Sequence, residues 1–82
     1  MFHKIKKVET LEKQILKVEF KNNQTKYYDM SKIINNNKEY EILKNNVIFN
    51  IARVDRGGYG IIWNEELDIS GEELYVNGVD NI

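Results

Sequence analysis

Residues Gln14–Phe20, QILKVEF, put Leu16, Val18 and Phe20 on one side of an extended chain and Lys17, Glu19 and then Lys21 on the other. A period of two is what a half-buried β-strand requires, whereas a helix would scatter the same residues around its axis. KNNQ follows, made of residues that tolerate left-handed turn conformations. TKYYDM (Thr25–Met30) predicts the return strand. Ahead of both, KIKKVETL (Lys4–Leu11) reads as a strand whose apolar Ile5 and Val8 break the period of two, which predicts a bulge or an edge position. The opening third of the chain is therefore expected to form a three-stranded antiparallel meander.

SKIINNNKEYEILKNN differs in kind, with asparagine clusters on both sides of KEYEILK. Tyr40 and Leu43 stand three apart, as on a short helix face, and Ser31 is placed to cap a turn around Ile33 and Ile34. One or two brief helical turns are expected here, as a crossover to a second hairpin. VIFNIARVD (Val47–Asp55) and YGIIW (Tyr59–Trp63) supply that hairpin's strands, joined at RGG. A two-residue turn at Gly57-Gly58 pairs Arg56 with Tyr59, Val54 with Ile61 and Ala52 with Trp63. This register predicts a core face of Ala52, Val54, Ile61 and Trp63, with an Arg56–Tyr59 cation–π contact at its end. Arg53, Asp55, Gly60 and Ile62 fall on the other face.

DISGEELY reads as a helix start. Ser70 and Glu73 have capping-box spacing, Glu72 and Glu73 face the positive end of the helix dipole, and Leu74 and Tyr75 supply the apolar side. Asn77-Gly78 is the expected stop. The whole is an α+β arrangement: meander, short helical crossover, second hairpin and short C-terminal helix, in a single domain spanning 1–82.

Composition narrows the function classes. Twelve Lys and Arg against thirteen Asp and Glu give a net charge of −1, so nothing pulls the chain over long range toward nucleic acid or anionic membrane, and copies repel little. With no cysteine, disulfides and thiolate metal sites are impossible, and a cytoplasmic home is the simplest reading. The N-terminus MFHKIKKVETLEKQ has no apolar run of signal-peptide length, and no segment has membrane-span length. Proline is absent too, which removes one way of blunting edge strands.

Few residues invite catalysis. The hydroxyls are Thr10, Thr25, Ser31 and Ser70, and the one histidine, His3, is expected to face solvent ahead of the first strand. RGGYG lacks the lysine and following helix of a phosphate-binding loop. Glu65, Glu66, Asp68, Glu72 and Glu73 lack calcium-loop spacing, and the helix cap explains two of them. No catalytic residue, cofactor site or metal site is therefore assigned. Interaction surfaces remain: Arg53, Asp55, Arg56 and Tyr59 around the hairpin are the candidate partner-binding residues, with Trp63 read as core. The alternative is a nucleic-acid face in which Lys4, Lys6, Lys17, Lys21 and Lys26 gather outside the meander, with Tyr27 or Tyr28 to stack on bases. Glu9, Glu12 and Glu19 interrupt that patch, and the pI of about 5.8 argues against it.

Three stretches carry a resemblance: KIKKVETLEKQILKVEFKNN, YYDMSKII and IFNIARVDRGGYGIIWNEELDISGEELYVNG. Their order resembles DUF2442, a family of small bacterial domains of unknown function, over about residues 3 to 78. Its most specific part is the glycine turn followed by Ile61, Trp63, the acidic LDIS, Leu74 and Tyr75. Lys21-Asn22-Asn23 departs from the Asp/Asn-Gly turn frequent in that family, although Asn tolerates the same backbone. The resemblance implies a non-catalytic accessory or protein-interaction module, either one half of a toxin–antitoxin-like gene pair or the sensing domain of a regulator. Some members carry a fused helix-turn-helix, which these residues lack. The implied partner is a small protein or a second copy, with no membrane.

Overall fold

The computed structural model describes residues 3–82. Strands β1 (Ile5–Leu11), β2 (Ile15–Phe20) and β3 (Thr25–Asp29) form an antiparallel sheet in that order. A crossover of α1 (Ser31–Asn36), a 3₁₀ segment Lys38–Lys44 and α2 (Asn46–Phe49) leads to a second antiparallel sheet. That sheet consists of β4 (Arg53–Val54), β5 (Gly60–Asn64) and β6 (Leu67–Ser70), and α3 (Gly71–Asn77) follows it.

The meander follows its alternation. Thr10, Leu16 and Tyr28 share a cross-strand row, as do Val8, Val18 and Lys26, and this face turns inward. Glu9, Lys17 and Tyr27 make a row on the opposite face, beside Lys7, Glu19 and Thr25. The broken period in β1 is a register shift between Ile5 and Lys7. In the KNNQ turn, Asn23 takes the left-handed conformation at φ 72°. Leu43 is buried and Tyr40 packs against the core from the 3₁₀ segment, as their spacing predicts. The start of α1 is different: Ser31 is the first helical residue and not the cap, and its amide donates to Asp29 Oδ1 at 2.9 Å.

The second sheet corrects the sequence reading in several places. Val47–Asp55 is not a strand: residues 46–49 are helical and only Arg53–Val54 pair. Asn45 explains this, because its side chain accepts the amides of Val47 and Ile48 and caps a helical turn that overrides the β preference of Val-Ile-Phe. The expected register holds, with Val54 opposite Ile61 and Arg53 opposite Ile62. The loop, however, is wider than a Gly-Gly turn. Asp55 N–H donates to the Gly60 carbonyl and Gly58 N–H to the Asp55 carbonyl, and of the two glycines only Gly58 has positive φ, 78°. The cation over the Tyr59 ring is Lys4, with Nζ 5.4 Å from the centroid, in the place expected for Arg56. LDIS is a third strand and not only a lead into the helix: Leu67 and Ile69 are buried while Asp68 and Ser70 are exposed.

The helix cap is as expected, with Ser70 Oγ accepting the Glu73 amide at 3.1 Å. The stop at Gly78 works for another reason. Its φ of −73° suits any residue, but a Cβ there would sit 2.4 Å from the Leu74 carbonyl oxygen.

Both sheets contribute to one apolar core, containing Leu16, Val18, Phe20, Ile61, Trp63, Ile69 and Leu74. Ala52 and Val54 are only partly buried at its border. Trp63 is 1% exposed, and its indole N–H donates to the Phe49 carbonyl at 3.0 Å, tying β5 to α2. Trp63→Ala is expected to destabilise the fold by about 3–5 kcal/mol through lost packing. Trp63→Phe keeps most of the volume but loses the indole bond, leaving the Phe49 carbonyl with the Ala52 amide alone, at about 0.5–1.5 kcal/mol. Urea unfolding checks both, and a parent-like midpoint for Trp63→Ala would contradict the core assignment.

Candidate functional site

Among the hairpin candidates, Asp55 is committed to the loop, where its Oδ1 accepts the Tyr59 amide at 2.8 Å. Arg53 lies on the outer face in one row with Ile62 and Asp68, and its guanidinium donates to the Trp63 carbonyl at 3.3 Å. Arg56 is exposed in the loop and the Tyr59 ring is half-exposed beneath Lys4. The hairpin thus presents Arg56, Tyr59 and Lys4 at its tip and Arg53 on its flank, while Asp55 is structural.

The five lysines do not form one face. Lys17 lies on the outer face of the meander between Glu9 and Tyr27, whereas Lys26 lies in the inward row beside Val18. Lys4 covers Tyr59 at the other sheet. The expectation of a continuous basic patch is corrected for a geometric reason, since the pleat sends Lys17 and Lys26 to opposite sides.

The carboxylates of the C-terminal stretch hold the fold together. Glu72 accepts the His3 amide at 2.7 Å, and its Oε1 lies 3.0 Å from His3 Nδ1, so the ring carries its proton on that nitrogen. The His3 ring stacks on Tyr75 at 3.6 Å between centroids, which corrects the expectation of a solvent-facing histidine. Tyr75 meets Phe20 edge-on at 5.0 Å, and its hydroxyl donates to Gln24 Oε1. Glu73 accepts the Tyr28 hydroxyl at 2.7 Å, the bond that takes its side chain away from a reciprocal cap. Glu65 and Glu66 line a separate open cleft with Glu39 and Ile42. Among the described residues, no three of His, Asp and Glu converge as metal ligands.

Sequence reading missed the C-terminal segment after α3. Val79 bridges to Tyr27: Tyr27 N–H donates to the Val79 carbonyl at 2.8 Å and Val79 N–H to the Tyr27 carbonyl at 2.9 Å. One residue on each side, Lys26 Nζ holds Asp80 Oδ1 at 2.8 Å. The Lys26 side chain is only 16% exposed, with its ammonium 5.3 Å from the Tyr75 ring centroid. A groove of about 530 Å³ runs alongside, with Tyr27, Asp29, Ile33, Val79 and Ile82 among its walls. Ile82 on this segment stands 72% exposed, and Val76 in the last turn of α3 stands 70% exposed. A β-branched residue and a carboxylate after the Asn-Gly stop were the only signals available, and they do not identify a pairing partner.

Two ionisations follow from these contacts. The His3 amide and ring N–H hold the Glu72 carboxyl below its usual range. Its contribution is complete above the unfolded carboxylate value near pH 4.5 and is lost as pH falls through the lower folded value. Burial, reinforced by the bond to Glu73, pushes the Tyr28 phenol well above its usual value of 10. That contribution is complete below pH 10 and is lost as pH rises beyond it. Melting temperature measured against pH should therefore lose part of its acid limb in Glu72→Gln and part of its alkaline limb in Tyr28→Phe. Limbs identical to the parent's would contradict the two assignments.

No curated protein and no solved structure matches the chain. No described helix is long and apolar enough to cross a membrane. The family described as "Protein of unknown function (DUF2442)" matches residues 5–80, nearly the whole chain, and the protein belongs to it.

Proposed function

We propose that this chain is a non-catalytic, partner-binding accessory module, either one half of a two-gene regulatory pair of toxin–antitoxin type or the sensing domain of a regulator. The observation that carries this reading is the C-terminal flank, where exposed Ile82 and half-exposed Val79 line a groove with Tyr27 and Ile33 at the outer edge of β3. Aliphatic side chains gathered beside a sheet edge suit a protein partner better than a small polar substrate. The positions of Glu72, Glu73 and His3 support the same reading, because their polar atoms are engaged in holding α3 to the first sheet and to the N-terminal segment. A cysteine-free chain suits the cytoplasm, where such a bacterial partner would meet it. Lys17 and Lys26 on opposite sides of the meander weigh against the nucleic-acid alternative.

Affinity capture of the tagged chain from its own host's lysate, with and without nuclease, tests the reading. One stoichiometric, nuclease-resistant protein is the expected result, identified by mass spectrometry. Recovery of nuclease-sensitive material alone would overturn it in favour of nucleic acid.

A further inference from the structure

We propose that the outer edge of β3 is a strand-acceptor site, occupied in this structure by the chain's own residues 79–82 acting as a built-in competitor. Its external ligand is an extended segment of a partner protein in which a β-branched residue precedes a carboxylate. This rests on the partner-binding reading above and specifies where the partner docks.

The phase of the ladder defines the site. Phe20 N–H donates to the Gln24 carbonyl and Met30 N–H to the Gln14 carbonyl, so Gln24, Lys26, Tyr28 and Met30 direct their backbone groups toward β2. Thr25, Tyr27 and Asp29 direct theirs outward. Of these three, the C-terminal segment's backbone engages Tyr27. Asn77, the residue that the same register would set opposite Asp29, is held in α3. α3 closes the Asp29 end of the edge, but the Thr25 end carries no backbone bridge, so a free strand that repeats the Tyr27 bridge and continues past Thr25 outbids a competitor that offers one bridge.

Lys26 sets the chemistry of the ligand. Its side chain is mostly covered, its ammonium lies 5.3 Å from the Tyr75 ring centroid and finds its carboxylate in Asp80, which is itself 81% exposed. Displacing the segment takes Asp80 away from Lys26, and an incoming strand restores that pair by bringing a carboxylate to the same position. The neighbouring residue falls opposite Tyr27 on the outer face, where Val79 now sits beside the groove formed with Ile33. Hence the ligand repeats the pattern of Val79-Asp80: aliphatic opposite Tyr27, acidic opposite Lys26.

The test uses the full chain, ¹⁵N-labelled, titrated with a synthetic peptide copying residues 76–82. In Asp80→Lys the chain's own segment is repelled by Lys26 while the edge is unchanged. This variant should bind the peptide with an apparent Kd about tenfold below the parent's, with amide shifts at Thr25 and Tyr27. Adding Lys26→Glu to Asp80→Lys restores the internal pair with reversed sign and should return peptide binding to parent weakness or less. Equal affinity in parent and Asp80→Lys, or shifts located away from β3, would overturn the proposal. Asp80 is exposed, so misfolding of Asp80→Lys is not at issue, and a parent-like spectrum away from β3 confirms it. If a captured partner binds parent and Asp80→Lys equally, the edge assignment fails while the partner-binding reading stands. Failure of capture removes that reading, and the titration still decides whether the edge accepts a strand.

Discussion

The amide of Ile5 donates to the Gly58 carbonyl across 2.7 Å, and this bond fixes how two small sheets meet. β4 contributes only two residues to the second sheet, and both sheets bury their apolar residues in one cluster. They must share a core, so the start of β1 has to lie against the loop that joins β4 to β5. Gly58 meets that demand with φ 78°, and a Cβ there would press on the Ile5 carbonyl at 3.1 Å. Next to it the Lys4 carbonyl accepts the Lys21 amide, so one short stretch of backbone connects the β2–β3 turn to the opposite hairpin. Gly71 continues the seam by donating to the Tyr59 carbonyl at 2.7 Å, which brings α3 against both sheets. The glycine-rich sequence that resembles a ligand loop is thus required by the joint between the sheets.

What was legible in the sequence was whatever a local period or a local cap determines. Leu16, Val18 and Phe20 announce β2 because alternation has one physical meaning on a one-sided sheet. Ser70 announces α3 because an oxygen three residues ahead of an amide satisfies it without help from the rest of the fold. The Val54–Ile61 register followed from the position of the glycines even though the loop closed differently. Asp55 shows why: its side chain takes up the Tyr59 amide and lets a wider loop hold the same pairing.

The misreadings share a different cause. Val47, Ile48 and Phe49 have β-forming side chains, but a tertiary need decides the outcome: Phe49 must enter the core with its carbonyl toward the Trp63 indole. The cap on Asn45 makes a helical turn the way to satisfy it. β6 has only four residues, too few for alternation to stand out against an adjacent capping signal. His3, Lys26 and Tyr28 find their partners at Glu72, Asp80 and Glu73, separations of 69, 54 and 45 residues. No local pattern in one sequence reports such distances. The hairpin candidates were chosen by residue type, which cannot reveal that Asp55 spends its carboxylate on its own loop.

Edge protection ties the fold to its proposed use. Without proline, this chain limits its sheet edges by short strands and by covering them. β4 is too short to template another strand, and β6 has the Tyr40 hydroxyl on its Asp68 carbonyl at 2.6 Å. The start of β1 is bonded to the Gly58 loop. These covers are part of the folded body, and removing any of them would disturb the core. The cover on β3 differs in kind, being a segment beyond α3 held by one backbone bridge and one ion pair whose carboxylate is largely in water. An exposed ion pair contributes little, roughly 0–1 kcal/mol, and one bridge adds a comparable amount. The edge is therefore closed against chance association yet within reach of a strand that supplies the same two contacts and continues along β3. Stability and recognition draw on different residues here, since the seam at Ile5 and Gly58 holds the fold whether or not Val79 is in place.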